Sequence, residues 1–293
     1  MKVCVPAVSY SGEVRIDLHT HSAVSDGTDA PAQLVADAAR AGLDVVALTD
    51  HDTARGWDEA AAAAQAVGIA LVRGIELSAR ADGVSVHLLS YLPDSDHPAL
   101  AAELDRIRED RLTRARRIVE RVAVDFPLEL ADVLAQTGPG TTVGRPHVAD
   151  ALVARGHVPD RSAAFATILR TGSPYYVPHY APDALTAIGL VLAAGGVPVF
   201  AHPGARARGR IVCDETIAAM ADVGLAGLEV AHRDNDPRQR ERLARLAHEL
   251  GLFTTGSSDY HGAGKPNRLG ENTTEPEIFT EIERRGRQAV IRA

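Results

Sequence analysis

Apolar positions follow two rhythms along the chain. Short apolar runs at residues 14–18, 45–49, 70–77, 84–91, 197–201, 227–230 and 252–256 read as strands. Between them, residues 30–41, 58–67, 182–194, 214–223 and 237–250 repeat their apolar positions at helical spacing. Asp29 stands before Ala30-Pro31 and Asp236 before Pro237, as helix starts require. Gly42, Gly68, Gly195, Gly224 and Gly251 follow five of these helices, where a left-handed residue closes the last turn. Strand and helix alternating in this way predict an α/β fold with a parallel sheet.

The alternation stops between about Ser95 and Tyr180. Residues 98–124 read as one long helix, followed by helical patterns at 128–137, 145–156 and 160–171, with no strand among them. The expected organisation is one α/β domain from residues 1–94 and 181–293, interrupted by a helical insertion at 95–180 that caps it.

Charge and cysteine content narrow the class. Lys plus Arg number 31 against 39 Asp plus Glu, a net charge of −8 over 293 residues. That balance argues against a broad basic surface for long duplex nucleic acid, but not against a small phosphorylated substrate in a locally positive pocket. Two cysteines, Cys4 and Cys213, exclude a disulfide scaffold and a Cys-rich zinc module, and point to a reducing cytoplasm. Residues 1–12 lack a basic-then-apolar leader pattern, and the apolar stretch 187–201 is short and broken by Gly195, Gly196 and Pro198. No membrane partner is expected.

The chemistry comes from where the His and acidic residues fall. The first strand runs into His19-Thr-His21, the second into Asp50-His51-Asp52, and the third ends at Glu76. The fourth contains His87, the fifth runs into His202, the sixth into His232, and the last into Asp259-Tyr-His261. In parallel α/β folds the C-terminal strand ends assemble the active site. Residues i and i+2 of an extended strand share a side, so His19 with His21, and Asp259 with His261, can hold one ion together. Asp26, five residues past His21, lies in a Gly27-containing loop able to fold back over the strand ends. One His at a strand end is ordinarily a hydrogen-bonded polar residue, Asp26 alone a turn residue, and Glu76 alone an ion-pair partner. Three carboxylates and six imidazoles recurring at equivalent strand ends are a different matter, because burying them together without cations is very costly. Imidazole and carboxylate without thiolate favour Mn²⁺, Fe²⁺ or Zn²⁺.

The text Asp17-Leu-His-Thr-His-Ser22, Ser25-Asp-Gly27, Leu48-Thr-Asp-His-Asp52, Gly74-Ile-Glu76, Val86-His87, Ala201-His-Pro203, Gly227-Leu-Glu-Val230 with His232, and Ser258-Asp-Tyr-His261 resembles the PHP (polymerase and histidinol phosphatase) family. The resemblance implies a distorted barrel of about seven strands, (β/α)7, around two or three divalent ions. It implies His19, His21, Glu76 and Asp259 at the first ion, Glu76, His87 and His202 at the second, and Asp26, His51 and His261 at the third. Position 26 is Asp where some relatives carry His, and that oxygen ligand leans toward Mn²⁺ or Fe²⁺.

The insertion narrows the branch. Thr142-Val-Gly-Arg-Pro-His-Val148 resembles nucleotide-directed members, which remove the 3′-phosphate from nucleoside 3′,5′-bisphosphates or trim short RNA from its 5′ end. Arg145 is the expected phosphate clamp, with His147 beside it. His232 has no place among the nine metal ligands and is assigned to substrate phosphate contact or proton transfer. Seven Arg between Arg106 and Arg121 are interleaved with Asp and Glu at helical spacing and read as a solvated, ion-paired face. His97, His157, His179 and His248 read as loop or helix-surface residues, and Ser22 and Ser25 as structural. The expected activity is hydrolysis of a phosphate monoester by hydroxide generated at the metals. A histidinol-phosphatase-like enzyme and a non-catalytic metal-binding module are the competing readings.

Overall fold

The computed structural model describes residues 14–293; Cys4 and the leader reading at 1–12 lie outside the described residues. A seven-stranded sheet, in the order of the chain, curls into a nearly closed barrel. Its strands are β1 (Ile16–Asp17), β2 (Val45–Leu48), β3 (Ala70–Ala81), β4 (Val84–Tyr91), β5 (Val197–Phe200), β6 (Gly227–Ala231) and β7 (Phe253–Gly256). A parallel bridge between Thr20 and Tyr260, with the His21 N–H donating to the Tyr260 carbonyl at 2.8 Å, brings the two ends of the sheet together. Helices α1 (Pro31–Arg40), α2 (Trp57–Val67), α7 (Ala184–Ala193), α8 (Asp214–Asp222) and α9 (Pro237–Leu250) fill the crossovers. Between β4 and α7 come α3 (Pro98–Val122), α4 (Leu130–Leu134), α5 (Arg145–Ala154) and α6 (Arg161–Ala166), and the chain closes with α10 (Pro276–Arg285).

Side-chain alternation sorts the strands onto two cores. Val45 and Ala47 point into the barrel with Ala70, Val72, Leu89 and Tyr91, whereas Val46, Leu48, Leu71 and Leu77 point outward to the helices. A third apolar cluster joins the last turns of α3 (Ala115, Ile118, Val119, Val122) to α5 and α6. The first turns of α3, through Leu100, Leu104 and Ile107, pack instead in the core outside the sheet. One helix of 25 residues, about 37 Å long, therefore ties the insertion to the barrel.

Two features depart from the expected pattern. The sheet is not wholly parallel: β4 runs antiparallel to both β3 and β5. Only Asp82 and Gly83 separate it from β3, at φ of 49° and 72°, the left-handed pair of a tight hairpin turn. A two-residue link has no room for a crossover. The reversal puts His87, near the start of β4, at the barrel end where the parallel strands finish. The second feature is α10, absent from the expected elements, whose Phe279 and Ile282 are buried in the barrel core.

Candidate metal centre

Glu76 stands on the same face of β3 as Ala70 and Val72, so it points into the barrel at its C-terminal mouth. Five imidazoles meet its carboxylate. Oε2 lies 3.3 Å from His19 Nε2, 3.0 Å from His21 Nε2 and 3.2 Å from His51 Nδ1. Oε1 lies 2.8 Å from His87 Nδ1 and 3.0 Å from His202 Nε2. Burial works against ionising Glu76, but the facing His51, His87 and His19 hold its carboxyl well below the usual range. Asp259 Oδ1 is 3.5 Å from both His19 and His21, and Asp26 Oδ1 is 3.2 Å from His261 Nε2. Three overlapping donor groups result: His19, His21, Glu76 and Asp259; His21, Asp26, His51 and His261; and His51, Glu76 and His87.

The donor atoms behave as ligand atoms should. His51 Nδ1, His87 Nδ1 and His261 Nε2 are buried without an acceptable hydrogen bond, a costly state that a cation would relieve. Burial holds the rings of His21 near 4, His202 near 3 and His51 well below its usual value, so these are neutral and free to donate lone pairs. The set of imidazoles and carboxylates thus fits divalent transition ions.

Behind the donors sits a layer that aims them. Glu229 on β6, fully buried, accepts the His19 Nδ1–H at 2.9 Å and the Ser257 hydroxyl on Oε1, and the His202 backbone N–H at 2.7 Å on Oε2. His19 Nε2 is thereby turned to the centre. Sequence reasoning does not single out Glu229, because an isolated acid in a strand carries no signal of what it faces. His261 Nδ1 bonds the Asp259 carbonyl at 2.8 Å, freeing Nε2. Ser22 and Ser25 hydroxyls, each 2.6 Å from Asp50, brace the Asp26 turn. His202 and Asp259 hold left-handed backbones, φ 34° and 54°, conformations of a kind that cost about 1–3 kcal/mol and cluster at working sites.

His232 differs from the other rings. Its Nδ1 accepts the Asp234 N–H at 3.0 Å, which places the ring N–H on Nε2. That buried nitrogen lacks a hydrogen-bond partner and lies 3.4 Å from Asp259 Oδ2. It offers a proton toward the cluster rather than a lone pair. Arg208, in a short turn after β5, bonds Asp234 at 2.7 Å and Asp259 at 2.5 Å, and Lys265 Nζ lies 3.0 Å from Asp259. Lys265 was also missed, for its loop shows no periodic pattern.

A cleft of about 770 Å³ runs from Asp26, His51, His87 and His202 to the insertion. Arg111, Arg114 and Arg145 line its far wall. The expected solvated arginine face of α3 holds for Arg116 and Arg117, which are exposed, but not for Arg114, which is buried. Arg114 Nε donates to the Val177 carbonyl at 2.8 Å; burial, with Arg145 and Arg111 nearby, pushes the guanidinium down to about 9. Arg145 donates to the Leu169 carbonyl at 3.2 Å and lies 5.2 Å from the Phe165 ring centre. His179, read as a surface residue, also lines this wall; burial and those guanidiniums hold its ring down to about 2. His147 stands elsewhere: it accepts the Gly144 N–H at 3.0 Å and its ring reaches the Ser25 backbone.

The PHP domain model matches residues 17–98. A 3′,5′-nucleoside bisphosphate phosphatase of Chromobacterium violaceum is 34% identical over 281 residues, covering 94% of this chain and 98% of that one. A 5′-3′ exoribonuclease of Haemophilus influenzae is 35% identical, covering 88% of this chain and 94% of that one. A structure assigned as a metal-dependent phosphoesterase, from Bifidobacterium adolescentis, superimposes with a TM-score of 0.91 at 46% identity, covering 94% of this chain and 97% of that one. With His and carboxylate donors gathered at the mouth of the seven-stranded barrel, the chain is a member of the PHP family of metal-dependent phosphoesterases.

Proposed function

We propose that the enzyme removes the 3′-phosphate from nucleoside 3′,5′-bisphosphates. The observation that carries this reading is a cleft with two separate anion-binding ends. One end is the donor cluster with Arg208 and Lys265; the other is the arginine wall of the insertion. Arg114, buried, and Arg145, half-buried, have carbonyl and aromatic partners instead of carboxylates, which leaves their charge for a ligand. A substrate with one phosphate needs only the first end. The names of the Chromobacterium and Haemophilus relatives, a nucleoside bisphosphate phosphatase and an exoribonuclease, agree with a nucleotide carrying more than one phosphate.

We assign three divalent ions, Mn²⁺ or Fe²⁺ ahead of Zn²⁺, to His19, His21, Glu76 and Asp259; to Glu76, His87 and His202; and to Asp26, His51 and His261. Divalent cations bound there supply an activated water and neutralise the phosphate oxygens. Arg208 and Lys265 hold the reacting phosphate, and the His232 Nε2–H donates a hydrogen bond to the departing 3′-oxygen, which takes its proton from water. Arg145 and Arg114 bind the 5′-phosphate and fix the ester in line for attack. Residues 95–180 act as the cap that supplies this specificity, while His147 supports its fold.

Protein loaded with Mn²⁺ is expected to release phosphate from adenosine 3′,5′-bisphosphate and leave adenosine 5′-monophosphate. No release from histidinol phosphate is expected, and the reverse preference sinks the reading. Replacing Arg145 with Ala should raise KM for the bisphosphate without lowering metal content.

A further inference from the structure

Asp26 is held differently from the other eight donor residues. They stand on barrel strands or within a few residues of one, whereas Asp26 lies on the loop between β1 and α1. That loop folds tightly: the Ser25 and Gly27 N–H groups donate to the Ser22 carbonyl at 3.1 and 3.0 Å. A Cβ at Gly27 would collide with the His21 carbonyl oxygen, so only glycine fits this close approach. Asp50 braces the turn from the barrel side, through the Ser22 N–H at 2.8 Å and both serine hydroxyls.

The Thr28 N–H adds a bond to the His261 carbonyl at 3.2 Å, and the insertion supplies further braces. Thr142 N–H donates to the Val24 carbonyl at 2.9 Å, and the Thr141 hydroxyl to the Ala23 carbonyl at 3.0 Å. The buried His147 ring reaches the Ser25 backbone. Arg161, the first residue of α6, makes the most direct link. It forks onto Asp150 of α5 at 2.5 and 2.6 Å, and its third nitrogen, Nη1, donates to the Asp26 carbonyl at 3.1 Å. The same Nη1 occupies the space that a side chain at Gly264 would need. Gly264 N–H in turn donates to the His261 carbonyl at 3.2 Å. One guanidinium thus rests against both loops, one carrying Asp26 and the other His261, and is itself fixed by a bidentate carboxylate.

We propose that Arg161 is a positioning residue through which the insertion sets occupancy of the divalent-cation subsite made by Asp26, His51 and His261. The other donors sit on or just past barrel strands, with Glu229 behind two of them, whereas the Asp26 and His261 loops meet the insertion directly at Arg161. The inference rests on the metal-centre reading above. It predicts that weakening one contact in the insertion releases one ion and leaves the rest.

Full-length protein, stripped with chelator and dialysed against graded free Mn²⁺, would be analysed for metal per chain and for thermal midpoint. R161K keeps a cation for Asp150 but cannot fork to the Asp26 carbonyl. G264A displaces the guanidinium from the barrel side and leaves the Asp150 pair. D26N marks the loss expected when the subsite's own ligand is removed. R155A, which breaks the exposed Arg155–Asp132 pair of the insertion, is the control. R161K and G264A should hold one equivalent fewer than R155A, or bind it about 10- to 100-fold more weakly, with the remaining equivalents unchanged. Retention of all equivalents at wild-type affinity in both variants overturns the inference, as does parallel loss of every ion. Wild-type protein that binds no Mn²⁺ defeats the metal-centre reading itself, a result separate from either.

Discussion

Glu229 receives the Nδ1–H of His19 on one oxygen and the backbone N–H of His202 on the other, so one carboxylate holds two strand ends in register. Burial opposes its ionisation, yet His19 and His232 bring its carboxyl down to about 2. An amide at this position offers one acceptor oxygen where two are used. E229Q should therefore weaken metal binding by about 10- to 100-fold, read as metal retained after dialysis, while the first-row ligands stay intact. Asp50 gives a prediction of the opposite sign. Burial pushes its carboxyl up to about 6 from the ordinary 3.8, against the hydrogen bonds of Ser22 and Ser25. A raised acid favours folding while protonated; that contribution is full below the unfolded value and is lost as pH rises through about 6. In urea titrations of metal-free protein, D50N should gain on wild type by up to about 3 kcal/mol between pH 4 and pH 7. A gap that stays constant with pH would show that Asp50 is not protonated in the fold.

At the scale of elements, the proposed recognition of a second phosphate rests on α3. Its arginines alternate with acids closely enough that charge pattern alone makes the whole row look solvated. Only the seating of Ala115 and Ile118 against α5 turns Arg111 and Arg114 to the cleft and leaves Arg116 and Arg117 outside. R114A should raise KM about 10- to 100-fold for adenosine 3′,5′-bisphosphate and little for adenosine 3′-monophosphate, a split visible in paired kinetics. Equal losses on both substrates would place the residue's effect in the fold of the cap instead. The same logic separates what could be read beforehand from what could not. His19, His51, Glu76 and Asp259 sit where apolar runs end, and strand ends converge in any such fold, so their meeting is legible. The reversal of β4 is written in Asp82-Gly83, although alternation with helices draws the eye toward parallel strands. Lys265, Glu229 and the bracing role of Arg161 depend on loops and strand faces meeting from distant parts of the chain, and no local pattern records that. The burial of Phe279 and Ile282 in the barrel core depends likewise on how the chain's end folds back.

For the molecule as a whole, acidity is concentrated where the barrel opens. Asp26, Glu76, Glu229 and Asp259 are all buried there, with Lys265 paired to Asp259, while the arginine wall faces them across the cleft. Without cations, part of that charge is offset by His19. Burial works against its proton, but Glu229, Glu76 and Asp259 outweigh it and hold the ring well above its usual value. Binding a cation at His19 Nε2 must expel that proton, so metal and protons compete, and low pH favours the metal-free form. The unfolded chain presents no assembled donor set, so each ion bound only to the native state adds stability. The gain is about 2.7 kcal/mol for one site at a hundredfold excess over Kd. Calorimetric scans in Mn²⁺ should therefore show a higher thermal midpoint than scans in chelator, with a larger increment at pH 8 than at pH 6. If the fold instead balanced its buried carboxylates without metal, the midpoints in Mn²⁺ and chelator would coincide at both pH values. A larger increment at pH 6 would mean that the expelled proton is not on His19.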